Sequence, residues 1–190
     1  MKNYPLHIKN NLRSVIRDMA KHPEDFCRSP GKDFTRDRKL PFEKLLTLLV
    51  KMGGHSLRDE MLDCLDFKES PASVSALVQQ RSKLLPQALE YLFHAFTNRC
   101  HKPKLYKGYR LLAVDGSDLQ FTANPNDPLS YFPGVNGQKP YSFLHLNALY
   151  DLNSNLYLDA VVQRRSTRRI FAAVREKILP VTGNCHLRSC

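Results

Sequence analysis

The sequence has no long hydrophobic run and no ordered arrangement of cysteines. No apolar stretch of about 18 residues occurs, so we expect no transmembrane helix. The N-terminus has no apolar segment of the kind found in secretory signals, so we do not expect one. The five cysteines are odd in number and form no Cys-x-x-Cys pair, which is typical of reduced thiols rather than of a disulfide framework. We therefore expect a cytoplasmic protein.

Acidic residues are also scarce. The chain of 190 residues has 18 Asp plus Glu against 29 Lys plus Arg, a formal net charge of +11. The excess is concentrated in residues 1–110, which carry +9, while residues 111–190 carry +2. Such a surplus favours a polyanionic partner, nucleic acid before a membrane surface. The alternative is a generic basic protein whose charges only keep it soluble.

Helical periodicity extends over roughly the first hundred residues. The spacing of apolar residues, together with Pro and Gly breaks, predicts helices within residues 1–22, 42–52, 56–65 and 73–85 and another from residue 86. On the first helix, Leu12, Val15, Ile16 and Met19 share a face. Ser56 is expected to cap the third helix. Between the first two helices, residues 26–41 are interpreted as a loop that is rich in basic residues. In it, Arg36, Arg38 and Lys39 are non-specific candidates for phosphate contacts.

The helix at 73–85, preceded by another short helix, resembles the second helix of a helix-turn-helix. Its expected inward face is Val74, Leu77, Val78 and Leu84. Its expected outward face is Gln79, Gln80, Arg81 and Lys83. Because Gln and Arg side chains can bridge base edges in a major groove, Gln80, Arg81 and Lys83 are candidate DNA contacts. Many helical bundles show the same pattern.

A strongly basic segment follows the helices. Residues 97–110 contain five basic residues and no acidic one. Residues 101–108 are interpreted as a linker. Further candidate contacts to DNA are Arg99, Lys102, Lys104 and Lys107. Cys100 and His101 have no second ligand pair at metal spacing, so we expect no zinc site there.

From Tyr109 the periodicity changes to that of strands. An apolar run, Leu111 to Val114, ends in Asp115, and a buried strand that carries a carboxylate at its end suits a metal ligand. After a polar loop at 122–140, two alternating runs at 141–152 and 155–163 predict a hairpin with its turn at 151–155. A helix is expected at 170–179. Three antiparallel strands followed by a helix are the opening of a ribonuclease H-like fold.

The motifs AVDGSDLQF, LHLNALYDL and LYLDAVVQ, behind a basic helical region that contains SVSALVQQRSKL, resemble the DDE-type transposases of bacterial insertion sequences, specifically the IS-four group. The resemblance covers nearly all of residues 35–178. It implies that Asp115 is the first Asp of the catalytic triad and a ligand of two divalent cations, normally Mg²⁺. It also implies the terminal repeats of the element as the DNA partner, a nucleoid-associated location, and a homodimer for full-length members. Asp118 is interpreted as structural or as a helper.

The sequence departs from this family in its last part. No counterpart of the second Asp or of the late Glu is found, and Glu176 is in the wrong place for that Glu. Residues 181–190 have no pattern of a helix or a core strand, and Cys185, His186 and Cys190 make a weak metal motif. We therefore expect a truncated transposase that lacks most of the triad. The alternatives are a DNA-binding module and a decayed fragment without catalysis.

The expected fold class is α+β. A helix-turn-helix-like DNA-binding domain would occupy residues 1–100, and the basic linker residues 101–108. The first part of a ribonuclease H-like mixed sheet, three antiparallel strands and a helix, would occupy residues 109–190.

Overall fold

The computed structural model describes residues 4–36, 38–64, 72–163 and 188–189. The chain divides into two compact units, Met1–Cys100 and His101–Cys190, which we call the helical unit and the sheet unit. Helices precede a mostly antiparallel sheet, which confirms the α+β class. Among the described residues, no helix combines the length and the apolar character needed to cross a membrane.

Among its described residues, the helical unit has five α-helices and one 3₁₀ turn. They are α1 (Tyr4–Ala20), the 3₁₀ turn (Pro23–Phe26), α2 (Phe42–Lys51), α3 (Leu57–Cys64), α4 (Val74–Lys83) and α5 (Gln87–Cys100). The inward face predicted for α1 is confirmed, because Val15, Ile16 and Met19 are buried and Leu12 packs beside them. They contact α2 and α5 in one hydrophobic cluster.

A second cluster lies on the other side of α2. It joins Leu45 and Leu48 of α2 to Met61 of α3 and Leu77 of α4, with Leu40 beside them. Because α2 contributes buried residues to both clusters, it is apolar around most of its circumference, as its sequence indicates.

The start of α3 is stabilised by its own side chains. Ser56 Oγ accepts a hydrogen bond from the Asp59 amide at 3.3 Å, which confirms the predicted cap. Glu60 Oε1 accepts from the amides of Gly53 (2.7 Å) and His55 (2.9 Å) and thereby closes the preceding turn. The hydrogen bonds from His55 and Gly53 hold the pKa of Glu60 below its ordinary value.

The sheet unit is built around one long central strand. Its strands are β1 (Leu112–Phe121), β2 (Tyr131–Phe132), β3 (Tyr141–Asp151), β4 (Leu156–Gln163) and β5 (Arg188–Ser189). β3 pairs antiparallel with β1 along one edge and with both β2 and β4 along the other. β1, β3 and β4 are therefore the three antiparallel strands expected from the sequence.

The β3–β4 hairpin lies where turn chemistry predicts it. Asp151, the last residue of β3, accepts hydrogen bonds from the amides of Asn153 (3.0 Å) and Ser154 (3.1 Å). Asn155 has a φ of 52°, which asparagine tolerates better than most residues. The polar loop at 122–140 contains β2, whose two residues pair with Ser142 and Tyr141.

Two of the last residues pair with the edge of the sheet. Arg188 and Ser189 form a short strand parallel to Ala113 and Val114 of β1, a pairing that the sequence does not predict. Backbone pairing to an open strand edge requires no hydrophobic pattern, which explains why the sequence did not indicate it. The helix expected at 170–179, Glu176, Cys185, His186 and Cys190 lie outside the described residues.

Candidate functional site

The orientation of α4 differs from the prediction and defines the site. Gln80 is buried with 7% of its surface exposed, beside Leu77 at 2%, whereas Val74 (38%) and Val78 (42%) are exposed. The expectation that Gln80 points outward, and Val74 and Val78 inward, is therefore wrong. The reason is tertiary: Leu40 and α2 pack against the side of α4 that carries Leu77.

The loop between the 3₁₀ turn and α2, residues 29–41, is held against the C-terminal end of α4, and we call it the basic loop. Just before it, the Arg28 amide donates to the Lys83 carbonyl at 2.8 Å, and the Leu85 amide donates to the Phe26 carbonyl at 2.9 Å. Inside the loop, Phe34 lies edge-on to the ring of Phe42 at 5.3 Å and has a φ of 58°, an uncommon backbone conformation for a bulky residue. The loop is therefore ordered by backbone pairing at its start and by aromatic packing within it.

A cavity of about 410 Å³ lies between the basic loop and α4. Lys32, Arg36 and Arg38 line it from the loop, and Gln80 and Lys83 line it from the helix. Within the described residues, no ion pair is formed by the four basic side chains, those of Lys32, Arg36, Arg38 and Lys83. Asp37, which follows Arg36 in sequence, lies outside the described residues. The cavity is therefore a concentration of positive charge on a concave surface.

A second cavity of about 320 Å³ continues along α4 toward its N-terminus. It shares Arg38, Leu40 and Gln80 with the first cavity and adds Gln79 and Ser73. Gln80 therefore lines both cavities. Its Oε1 atom is inaccessible to solvent and has no hydrogen-bond partner among the residues that the structure describes.

The remaining candidate contacts of the helical unit lie in different environments. Arg81 is exposed on α4. Arg99 on α5 is engaged within the unit, because it donates to Asp18 Oδ2 at 2.6 Å and to Ser14 Oγ at 2.9 Å. Hydrogen bonds from Lys21 and Arg99 lower the pKa of Asp18 to about 2. Arg99 would have to leave this ion pair to contact DNA.

The segment predicted as a basic linker is hydrogen-bonded to the β3–β4 turn. The carbonyl oxygens of Lys102 and Lys104 accept from Ser154 Oγ (3.0 Å) and Asn153 Nδ2 (3.1 Å). The side chains of Lys102, Lys104 and Lys107 are exposed, and the Lys107 amine lies 5.6 Å from the centre of the Tyr106 ring. These lysines are therefore carried by an ordered backbone.

Asp151 connects this segment to the turn. It is fully buried, and its Oδ2 atom lies 2.9 Å from His101 Nε2 and 3.9 Å from the guanidinium of Arg110. Burial alone would raise the pKa of Asp151, but the hydrogen bonds from His101, Ser154 and Asn153 outweigh it and hold the pKa below its ordinary value. Asp151 is therefore a buried, ionised carboxylate with a structural role.

Asp115 lies in the middle of β1 rather than at its end. The expectation that Asp115 is the end of the strand is wrong, because β3 provides a partner for every residue of β1 from Leu112 to Phe121. The carboxylate is exposed, and its Oδ1 atom accepts from the Gly116 amide at 2.8 Å.

Asp118 and Asp115 point to opposite faces of β1, since the strand continues unbroken through Gly116. Asp118 Oδ1 lies 2.8 Å from His145 Nδ1 on the neighbouring strand. Gly116 makes room for this imidazole, because a Cβ atom there would lie 2.6 Å from His145 Nε2. Asp118 is therefore engaged in a cross-strand pair.

The described residues do not make a two-cation site. No group of three or more His, Cys, Asp or Glu side chains converges anywhere in the part of the chain that the structure describes. Asp115 is a suitable oxygen ligand for a hard cation, but a pair of such cations needs several carboxylates. The described residues therefore do not fit the Mg²⁺ pair that the resemblance implies.

Comparisons of the chain with known proteins identify no relative. No family model matches the chain, and neither a curated protein nor a solved structure is significantly similar to it.

Proposed function

We propose that this chain is part of a DNA transposase of the insertion-sequence type, that its helical unit binds DNA, and that the 190-residue chain does not cleave DNA by itself. The observation that carries the proposal is the convergence of Lys32, Arg36, Arg38 and Lys83 on one concave surface of α4.

This surface suits a phosphate backbone. Lysine and arginine side chains that neutralise phosphates release counterions, and this release supplies most of the affinity of non-specific DNA binding. Arginine can also grip a phosphate with two parallel hydrogen bonds. Since none of the four side chains is neutralised by a carboxylate among the described residues, all four are available to an anionic ligand.

The resemblance to a helix-turn-helix contributes less to the proposal than the basic cavity does. Nine residues separate Cys64 at the end of α3 from Val74 at the start of α4. Of these, residues 65–71 lie outside the described part of the chain. A helix-turn-helix has a turn of about 3 to 4 residues. The proposal therefore relies on the cavity and on exposed Arg81 rather than on that motif.

The sheet supports the transposase part of the proposal. The strand order β4–β3–β1, all antiparallel, followed by β5 parallel to β1, is compatible with the opening of a ribonuclease H-like sheet. Asp115 is exposed on β1, where the resemblance expects the first catalytic carboxylate. In the family this residue would help to hold cations that activate the attacking oxygen.

A second candidate function is a DNA-binding module without any catalytic role. It is favoured by the finding that, among the described residues, Asp115 belongs to no group of three or more metal-ligating side chains. Both candidates are expected to prefer the ends of an element, whereas equal binding to every sequence would indicate only a basic surface.

Selection from a pool of random duplexes tests the proposal. The full chain is incubated with the pool at about 150 mM salt, and bound duplexes are amplified and sequenced over several rounds. We expect enrichment of one motif, and no nicking of supercoiled plasmid in Mg²⁺. Absence of any bound DNA would contradict the proposal. Robust nicking that the Asp115→Ala variant abolishes would contradict its non-cleaving part.

A further inference from the structure

A tight turn at residues 106–109 presents two tyrosines on the segment that precedes β1, and we call it the tyrosine turn. The backbone groups of Tyr106 and Tyr109 exchange two hydrogen bonds, of 2.8 and 2.9 Å. Between them, Lys107 and Gly108 have φ values of 49° and 83°, and a type I′ turn requires a positive φ at both positions. The turn is therefore fixed by its own backbone hydrogen bonds and not by the tyrosine rings.

The two tyrosine side chains share one side of the turn and are open to solvent. Residues that face each other across an antiparallel pair carry their side chains on the same side, with Cβ atoms about 4.5 to 5.5 Å apart. Tyr106 is 55% exposed and Tyr109 is 45% exposed. In the part of the chain that the structure describes, neither ring packs against another aromatic ring. Both rings are therefore aromatic surface that is accessible to a ligand.

The sequence around the two rings carries only positive charge. Residues 101–110 contain four Lys or Arg side chains and no acidic one. Lys102, Lys104 and Lys107 are exposed and form no ion pair with any described residue. The Lys107 amine lies 5.6 Å from the centre of the Tyr106 ring. The tip of the turn therefore combines an exposed ring with a cation that no described carboxylate neutralises.

Exposed rings beside such lysines match the chemistry of an unpaired nucleotide. Its base offers a flat face that stacks on an aromatic side chain, and its phosphate attracts a cation. Bases inside a duplex already stack on both sides and offer no free face to a tyrosine. The carbonyls of Lys102 and Lys104 accept hydrogen bonds from Ser154 and Asn153, so the segment that carries the rings is ordered before a ligand binds. A preordered surface loses less entropy on binding.

We propose that the tyrosine turn binds unpaired bases of a DNA strand, on which the rings of Tyr106 and Tyr109 stack. The neighbouring phosphates are contacted by three lysines, Lys102, Lys104 and Lys107. The inference rests on the DNA-binding part of the proposed function. It adds a contact in the sheet unit that selects single-stranded DNA, whereas the cavity of α4 is assigned to the phosphate backbone.

Two double variants separate ring stacking from apolar contact. The affinity of the full chain for a labelled thymidine oligonucleotide of about 12 nucleotides is measured by fluorescence anisotropy. Replacing Tyr106 and Tyr109 together by leucine keeps apolar side chains but removes both rings, and it should weaken binding at least about tenfold. Replacing both by phenylalanine keeps the rings and should leave the affinity unchanged. Equal affinities of the two double variants would overturn the inference.

Leu105→Ala is a matched control within the same segment. Leu105 is 63% exposed but has no aromatic ring, so its replacement should not change the affinity for the oligonucleotide. All of these variants are expected to fold, because the side chains are exposed and the hydrogen bonds of the turn are made by the backbone, and unchanged thermal midpoints check this. If Leu105→Ala weakens binding as much as the leucine double variant does, stacking on the tyrosines is contradicted.

A fluorescent reporter locates the contact. The sequence contains no tryptophan, so Tyr109→Trp introduces a single indole into the turn. Stacking on a base quenches indole emission, so the oligonucleotide should quench this variant and not Tyr4→Trp, whose position is 60% exposed on α1. Absence of quenching, or equal quenching of both variants, would overturn the inference. A blue shift with phosphatidylserine vesicles, without quenching by DNA, would assign the turn to a membrane surface and would also overturn it.

Duplex DNA distinguishes failure of this inference from failure of the proposed function. A covalently closed duplex has no ends at which a ring can stack, so the leucine double variant should bind it with the wild-type affinity and salt dependence. If the wild type binds this duplex but its affinity for the single strand does not depend on the rings, only this inference fails. If it binds neither DNA, the proposed function fails as well.

Discussion

Replacing Asp151 by alanine is expected to destabilise the sheet unit by about 3 to 5 kcal/mol, the usual cost of removing one partner of a buried ion pair. Asp151 has no exposed surface and accepts from the amides of Asn153 and Ser154. The variant also leaves the partly buried His101 and Arg110 without their carboxylate.

The same sheet contains a matched control. Asp118 lies 2.8 Å from His145, almost the same distance as that between Asp151 and His101, but 66% of the Asp118 side chain is exposed. Exposed ion pairs contribute about 0 to 1 kcal/mol. Asp118→Ala is therefore expected to cost less than about 1 kcal/mol, so the two variants separate burial from pairing.

Hydrogen exchange of the full chain, read by mass spectrometry, measures both variants in one experiment. In Asp151→Ala, protection of β3 and β4 amides should fall at least about a hundredfold, since about 1.4 kcal/mol corresponds to a factor of ten. Amides of α1 and α2 should be unchanged. If Asp151→Ala lowers protection no more than Asp118→Ala does, the structural role assigned to Asp151 is refuted.

Three further outcomes are expected. The pKa of Asp151 is lower in the folded than in the unfolded state, so the stabilisation that this carboxylate contributes is complete above its ordinary pKa of 3.8. The stabilisation is lost as the pH falls through the folded-state pKa. The urea midpoints of the wild type and of Asp151→Asn should therefore converge in acid. Gly116→Ala should cost about 1 to 3 kcal/mol by displacing the imidazole of His145, and thermal unfolding should show that this cost shrinks in a His145→Ala background. Leu45→Ala, at a fully buried position, should cost about 2 to 5 kcal/mol in chemical unfolding of the helical unit, while Val50→Ala on the exposed side of α2 should change it by less than about 0.5 kcal/mol.

Local chemistry explains what the sequence predicts correctly. The β3–β4 turn follows from Asp and Asn side chains that hydrogen-bond to nearby backbone, and the α3 cap follows from Ser56, so neither depends on distant partners. The inward face of α1 follows from apolar residues three and four positions apart over a long helix.

Tertiary contacts determine the features that the sequence does not predict. α4 has only ten residues, and Val74, Leu77 and Val78 are compatible with more than one inward face. The choice is made by Leu40 and α2, which pack against Leu77, and Gln80, one turn further along α4, is buried as well. No local signal places Lys32 beside Lys83 either, because this proximity depends on backbone pairing between the start of the basic loop and the end of α4.

Asp115 illustrates the same limit in the sheet. A glycine after an apolar run is a common turn signal, so the sequence predicts that the strand ends there. The ten-residue ladder with β3 carries the strand through Gly116, and the side chain that requires the glycine, His145, is remote in sequence.

The salt dependence of DNA binding tests the central claim most directly. The affinity of the full chain for a labelled duplex is measured by fluorescence anisotropy between about 50 and 200 mM salt. Replacing both Arg36 and Lys83 by glutamine should reduce the slope of log affinity against log salt by about 1.8, since each phosphate contact contributes about 0.9. Replacing Lys9 and Arg13 on α1 removes the same charge elsewhere and should change the slope much less. Equal effects of the two double variants would contradict the assignment of DNA binding to the cavity of α4.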